Sequence, residues 1–284
     1  MSTKHPFDGE GLTYAQTLEF WDNYASQYSG FQQGDIPRRI VERLVSEGIV
    51  DSNSDVLEVG SGPGTYSLEL APKVSSLTCL DTSPRMLDRL FARASELGLT
   101  NIRRMDGDWN THAPSKNYDM CIATLCPGTG SPASMGRMEA DSKGHCVLVS
   151  WLENHGDDLH AEIWRELGRD YGYEGRRSTA TQDWLRENGR NPTVEFLSTV
   201  VERDFTIEEL VEKERASFRG FDVDVDIGEV ARSILEPDSD DGIIHYRAEN
   251  SMKLIFWESP HRAENGSDNS RNLRTGTPPP SAIP

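Results

Sequence analysis

The chain has 284 residues, enough for one large domain or a domain with an insertion. Its 29 Lys and Arg stand against 47 Asp and Glu, a net charge of −18, and so acidic a surface repels DNA, RNA and anionic membranes as main partners. Hydrophobic residues make up 36%, no stretch approaches the roughly 18 apolar residues that cross a bilayer, and the opening Met-Ser-Thr-Lys-His-Pro lacks the apolar core of a signal peptide, so a cytoplasmic protein is expected.

Residues 1–12 read as a loose arm. Residues 13–28 read as a helix whose Leu18, Trp21, Tyr24 and Tyr28 form an aromatic face at helical spacing. That face either packs on the domain or covers a ligand. Pro37 opens a second helix, with Ile40, Val41, Leu44 and Val45 on its apolar side and Gly48 at its end. Val56, Leu57 and Val59 then form a short apolar run suited to a buried parallel strand. Gly60, Gly62 and Gly64 follow at once, letting the backbone turn tightly and a ligand approach without a Cβ in the way. Residues 65–71 read as the start of a helix. Strand, glycine turn and helix N-terminus together form a site for a nucleotide-like ligand.

One unit on, the apolar strand 77–80 ends at Asp81, 17 residues after Gly64. A carboxylate there can accept hydrogen bonds from both hydroxyls of a ribose. Ser83 caps the next helix, Pro84 takes its first position, and Met86, Leu87, Leu90, Phe91, Ala94 and Leu97 give it an apolar face. A third strand at 101–105 leads into Asp106-Gly107-Asp108-Trp109. A fourth, 118–123, runs into the loop 124–130. A helix at 132–141 precedes a fifth strand at 145–151.

Residues 152–192 are polar with two amphipathic pieces, 159–167 and 181–188, and read as a crossover with an inserted lid carrying Trp164, Tyr171, Tyr173 and Trp184. These aromatics either line an acceptor pocket together with the N-terminal helix or pack their helices on the sheet. A sixth strand is expected at 194–201. Thr206 and Glu209 form a capping box, residues 222–235 have helical character, and the last strand, 251–257, should lie antiparallel at the edge beside strand six. Residues 259–284 hold five of the 15 prolines and are expected to be disordered.

The glycine turn is Glu58-Val59-Gly60-Ser61-Gly62-Pro63-Gly64, an acidic residue followed by xGxGxG. Together with Asp81, Gly107-Asp108-Trp109 and Tyr118-Asp119, over roughly residues 15–151, it resembles the class I S-adenosylmethionine-dependent methyltransferases. The resemblance implies an α/β fold: a doubly wound, seven-stranded, mostly parallel Rossmann-like sheet with the cofactor across the C-terminal ends of strands one to four. It implies S-adenosylmethionine held by Glu58, Gly60, Ser61, Gly62, Gly64, Asp81, Thr82, Met86, Asp108 and Trp109. In this reading Asp81 takes the ribose, Met86 flanks the adenine, Asp108 and Trp109 meet the adenine edge, and Glu58 orients the glycine loop through backbone N–H groups. The run Trp-Asp-x-x-Ala-x-x-Tyr at 21–28 is similar to the N-terminal segment of small-molecule methyltransferases, which folds over the cofactor. The expected layout is an arm and cap helix at 1–35, a methyltransferase domain at 36–258 with the lid at 152–192, and a tail at 259–284.

A methyl transfer from an activated cofactor needs mainly proximity and alignment, with a general base only when the acceptor must lose a proton. No compelling base stands out: His145, His155 and His160 are isolated histidines. Cys126-Pro127 reverses the Pro-Cys order of the 5-methylcytosine enzymes, so a nucleophilic role does not carry over, although Cys126 is placed to face the substrate. The acceptor candidates are Tyr24, Tyr28, Cys126 and Tyr173. The four cysteines form no CxxC pair, which points away from a metal site or a disulfide scaffold. Arg176 and Arg177 either bind an acidic substrate or line a solvated face. The expected partner is a small molecule or cofactor precursor, with no nucleic acid and no membrane; the alternatives are a protein or RNA acceptor, or a module that binds S-adenosylmethionine without turnover.

Overall fold

The computed structural model describes residues 13–26, 28, 30–114, 118–154, 163, 165, 166, 179–217, 226–234 and 242–261. Seven strands form one sheet: β1 Asp55–Val59, β2 Ser76–Asp81, β3 Ile102–Asp106, β4 Tyr118–Thr124, β5 Ser142–Asn154, β6 Thr193–Thr206 and β7 Ile243–Glu258. Their order is β3-β2-β1-β4-β5-β7-β6. β1 pairs parallel with β2 and β4, β2 with β3, and β4 with β5, while β7 runs antiparallel to both β5 and β6. This is the expected doubly wound α/β sheet with β7 antiparallel beside β6, but β7 lies inside the sheet between β5 and β6 and not at its edge, because its apolar run Met252–Trp257 is buried while β6 is largely exposed.

The central strands of the sheet are buried on both faces because they alternate apolar side chains between two cores, while β3 and β6 are largely exposed. Val56, Met120, Ile122, Val147 and Leu254 point into one, where Ile40 and Leu44 of α2 (Ile36–Ser46) and Leu87 and Leu90 of α4 (Pro84–Glu96) cover them. Leu57, Cys121, Ala123, Cys146, Leu148 and Trp257 point into the other, covered by Met135 and Met138 of α5 (Pro132–Asp141) and Leu185 of α6 (Ala180–Glu187). Each fully buried side chain of this size contributes about 1.5–3 kcal/mol. Asp119 fixes the register where β4 begins. Its Oδ2 accepts the Asp55 N–H at 2.9 Å, and a Cβ on Gly144 would fall 2.2 Å from its carbonyl oxygen, so β5 passes there only as glycine.

The first helix, α1, spans Tyr14–Tyr24, shorter than the aromatic spacing predicts, and its start is a Thr13–Gln16 capping box. α3 is a single turn, Ser67–Leu70, followed by a 3₁₀ turn. β6 and β7 run well past the expected strands and pair as a long ribbon from Thr193↔Phe256 to Thr206↔Ile243. In the added part of β7, Ile244, Tyr246 and Ala248 alternate with exposed His245, Arg247 and Glu249. On the exposed side Arg247 pairs with Glu202 at 2.9 Å and His245 with Asp204 at 2.8 Å across the strands. Between β6 and β7 the described residues form two helices, α7 Ile207–Ser217 and α8 Ile227–Ile234. Ser259, at the expected start of the tail, is buried and donates from its hydroxyl to the Glu139 carbonyl at 3.1 Å, so the packed chain continues past β7. Most of the expected lid, with Trp164, Tyr171, Tyr173, His155, His160, Arg176 and Arg177, lies outside the described residues, as do 1–12 and 262–284. Among the described residues no helix is long and apolar enough to cross a membrane.

Candidate functional site

The C-terminal ends of β1, β2, β3 and β4 open into one cleft, open to solvent at its mouth. Brought together there are Gly60, Ser61, Gly62, Asp81, Thr82, Met86, Asp108 and Trp109, eight of the ten residues expected at the cofactor.

The glycine turn is shaped by backbone geometry. Gly60, Gly62 and Gly64 have φ values of 68°, 52° and 90°, in the left-handed region that side chains avoid. At Gly62 a Cβ would meet nothing within 4 Å, so its bare backbone faces open space. At Gly60 a Cβ would sit 2.6 Å from the Cys126 sulfur, and at Gly64 one would lie 2.9 Å from Leu90, so those two glycines are needed for packing.

Asp81 is buried and clamps the turn. Its Oδ2 accepts the Gly62 N–H and its Oδ1 the Ser83 N–H, both at 2.8 Å. Burial pushes its carboxyl above the usual range against the opposing pull of these N–H donors. Glu58 lies entirely inside the molecule, and burial pushes it up to about 7. Its partners correct the sequence reading. They are the Ser67 hydroxyl and the Thr124 hydroxyl, the latter at 3.3 Å, and not the backbone of the glycine turn. Glu58 therefore ties α3 to the end of β4, and Thr124 connects it to the cleft wall.

Trp109 lines the cleft but its indole is held from behind. Its Nε1 donates to Ser134 at 2.8 Å, and its ring stacks on His112 at 5.4 Å. Asp108 accepts from the Asn110 backbone N–H at 2.8 Å. The Ser61 and Thr82 hydroxyl oxygens are buried in the cleft wall without a hydrogen-bond partner, and a buried polar atom left so is stable only when something else supplies the bond. These orphaned hydroxyls, the open backbone at Gly62 and the Asp81 carboxylate suit a ligand with ribose hydroxyls and a charged head.

The N-terminal segment covers the cleft. Tyr14, Thr17 and Trp21 of α1, with Tyr28, contribute to its wall. α1 is docked by polar contacts that spacing alone does not signal. Asp22 accepts from the Ser83 hydroxyl and from the Arg85 N–H at 3.3 Å, capping α4 from outside, and Arg89 donates to the carbonyls of Ala25 and Tyr28. Of the acceptor candidates, Tyr28 lines the cleft, and burial pushes its phenol up to about 12. Tyr24 does not line it. Its ring stacks on Phe20 at 5.7 Å and edges Tyr28 at 6.0 Å, so it builds the cap from within. Cys126 lines the cleft against Gly60, and burial pushes its thiol up to about 12, which keeps it protonated and unreactive at neutral pH. Trp184 packs on the second core instead of the cleft. Sequence spacing gave no hint of Gln33, Thr65, Tyr66 or Asn110, which also line it. Among the described residues no cluster of His, Cys, Asp and Glu is placed to hold a metal.

Residues 56–135 match a family model described as a methyltransferase domain. A 23S rRNA uracil-C5-methyltransferase of Chromohalobacter salexigens is 30% identical over 109 residues, 38% of this chain and 22% of that protein, so the chain spans about a fifth of that relative's length. An uncharacterized protein of Haemophilus influenzae is 24% identical over 217 residues, covering 71% of this chain and 79% of that one. Among solved structures, a magnesium protoporphyrin IX methyltransferase from Synechocystis PCC 6803 with bound SAH superposes with a TM-score of 0.51 and 14% identity over 85% of this chain and 98% of that one, a likeness of fold.

Proposed function

We propose that this chain, whose fold and domain match are those of the class I S-adenosylmethionine-dependent methyltransferases, transfers a methyl group in line from S-adenosylmethionine to a small molecule or cofactor precursor. The observation that carries this reading is the convergence of the Gly60–Gly62 turn, Asp81, Thr82, Met86 and Asp108 on one cleft at the C-terminal end of the parallel strands. When bound, the cofactor supplies a methyl group already activated on a sulfonium.

The chain's own residues bind and align. Gly62 leaves room for the methionine end, the Asp81 oxygens accept from the ribose hydroxyls, and Met86 with Asp108 holds the adenine. Trp109 presents a ring fixed by Ser134. α1 contributes Tyr14, Thr17 and Trp21 to the wall and shields part of the cleft from water, which strengthens the polar contacts beneath it. No His or Lys stands among the described lining residues, and alignment is the chain's main contribution. A cytoplasmic location, a cap helix ahead of one methyltransferase domain, and an acceptor entering beside the β4 loop go with this reading.

A second reading, an RNA acceptor, draws on the name of the Chromohalobacter relative. The net charge of −18 weighs against it. The test is release of S-adenosylhomocysteine on incubation with S-adenosylmethionine and a cell extract. Activity that survives nuclease and protease treatment supports a small acceptor; loss with nuclease would install the second reading, and no release from any extract would sink both.

A further inference from the structure

One polar group in the cleft is left over once the cofactor residues are placed. Gln33 is only 2% exposed. Its Nε2 donates to the Tyr28 hydroxyl at 3.0 Å, and its Oε1 is buried with no hydrogen-bond partner. An unpaired buried amide oxygen costs roughly 1–3 kcal/mol, so a ligand donor is the natural complement.

The backbone that carries Gln33 is fixed at three points. Gly30, with φ 65°, lies so near Thr65 that a Cβ would be 2.9 Å from its hydroxyl. The Gln32 carbonyl accepts from the buried Asn250 amide at 2.8 Å. Gly34, with φ 51°, sits against Thr199, where a Cβ would be 2.6 Å from the hydroxyl. A carbonyl held this firmly is preorganised to accept one hydrogen bond.

The surrounding charge and rings point the same way. Among the described residues that line the cleft, the acidic ones are Asp81 and Asp108, and none is Lys, Arg or His. The same N-terminal segment brings Tyr14, Trp21 and Tyr28 to the wall, and aromatic faces attract ammonium groups. Among the described lining residues a carboxylate or phosphate acceptor meets no cation, whereas an amine meets the Gln33 carbonyl and aromatic rings.

We infer, resting on the methyltransferase reading, that Gln33 is a specificity-determining residue whose carbonyl accepts a hydrogen bond from an amine-bearing small-molecule acceptor.

The test begins with calorimetry of S-adenosylhomocysteine on the wild-type chain. Absence of binding would overturn the methyltransferase reading itself, and the inference with it. The S-adenosylhomocysteine-saturated protein is then titrated with matched probes: phenethylamine against phenylacetate, and tyramine against 4-hydroxyphenylacetate. The amines are expected to bind at least tenfold tighter than their carboxylate partners. Gln33→Leu should lose at least tenfold in amine affinity while S-adenosylhomocysteine affinity stays within threefold. Equal binding of amines and carboxylates, an unchanged amine affinity, or an equal loss of S-adenosylhomocysteine affinity would each overturn the inference. Should Gln33→Leu fail to fold, the isosteric Gln33→Glu decides: amine binding at least threefold tighter supports it, and no gain overturns it.

Discussion

Three of the buried carboxylates packed at this sheet, Glu139 as one group and Glu58 with Asp81 as another, are wired in opposite ways. Glu139, on α5, is nearly fully buried and fully paired. Arg190 donates to both its oxygens, at 2.7 and 2.9 Å, and the Trp257 indole adds a third bond at 2.9 Å. Glu58 and Asp81, at the ends of β1 and β2, are just as buried but are held by hydroxyls and backbone N–H groups, with no cation among the contacts described. The first group joins α5, the end of α6 and β7 and leaves nothing for a ligand to complete. The second leaves two carboxyl groups in a dry place with no cation among the contacts described, and burial raises both above the usual carboxylate range. The contrast separates a structural clasp from a binding site on local wiring alone.

That contrast can be broken most forcefully at the clasp. Arg190→Met leaves Glu139 buried without its cation and should cost about 3–5 kcal/mol in urea unfolding, with cofactor affinity per folded molecule unchanged. An equal effect on affinity would mean that the clasp belongs to the site.

Glu58 comes next. Its folded pKa stands near 7, above the ordinary 4.5, so the folded state holds this proton more tightly than the unfolded chain. The resulting stability is full below pH 4.5 and is lost as pH rises to about 7, amounting to about 3 kcal/mol. Unfolding at pH 4.5 and pH 8 should therefore show a loss in wild type that is smaller by that amount in Glu58→Gln. Parallel curves for the two proteins would refute the assignment.

Asp81→Asn should weaken S-adenosylmethionine binding by about 1.5–3 kcal/mol, roughly ten- to 150-fold, because charge-assisted bonds to the ribose are lost. Calorimetry within threefold of wild type would remove Asp81 from the cofactor site. The smallest effect is expected at Arg89→Ala, which unties the end of α1 at the Ala25 and Tyr28 carbonyls. Stability should drop by about 1 kcal/mol and cofactor affinity a few-fold; no change in affinity would mean that the cap is not part of the site.

The cleft at the strand ends was legible because each element around it announces itself locally. The apolar run before Gly60, the glycine turn, Asp81 at a strand end and Ser83-Pro84 at a helix start are all short-range signals, and eight of the ten expected residues meet in the cleft. Gln33 was invisible for the opposite reason. It sits in a polar stretch, Phe31-Gln32-Gln33-Gly34, and acquires meaning only when Asn250, Thr65 and Thr199 fix that stretch from far along the chain. Tyr24 shows the converse limit, since helical spacing marked an aromatic face but not which of its rings would look inward.

By itself, then, the sequence determined the order of the elements, the two-sided burial of the central strands and the glycine turn, because propensity, periodicity and backbone freedom act over a few residues. Only the tertiary structure decided which carboxylates are paired, how far β6 and β7 extend, and which polar atoms in the cleft are left without partners. Those depend on contacts between segments more than 100 residues apart, such as Trp257 to Glu139 and Asn250 to Gln32, and on the removal of water around them, which no local pattern encodes.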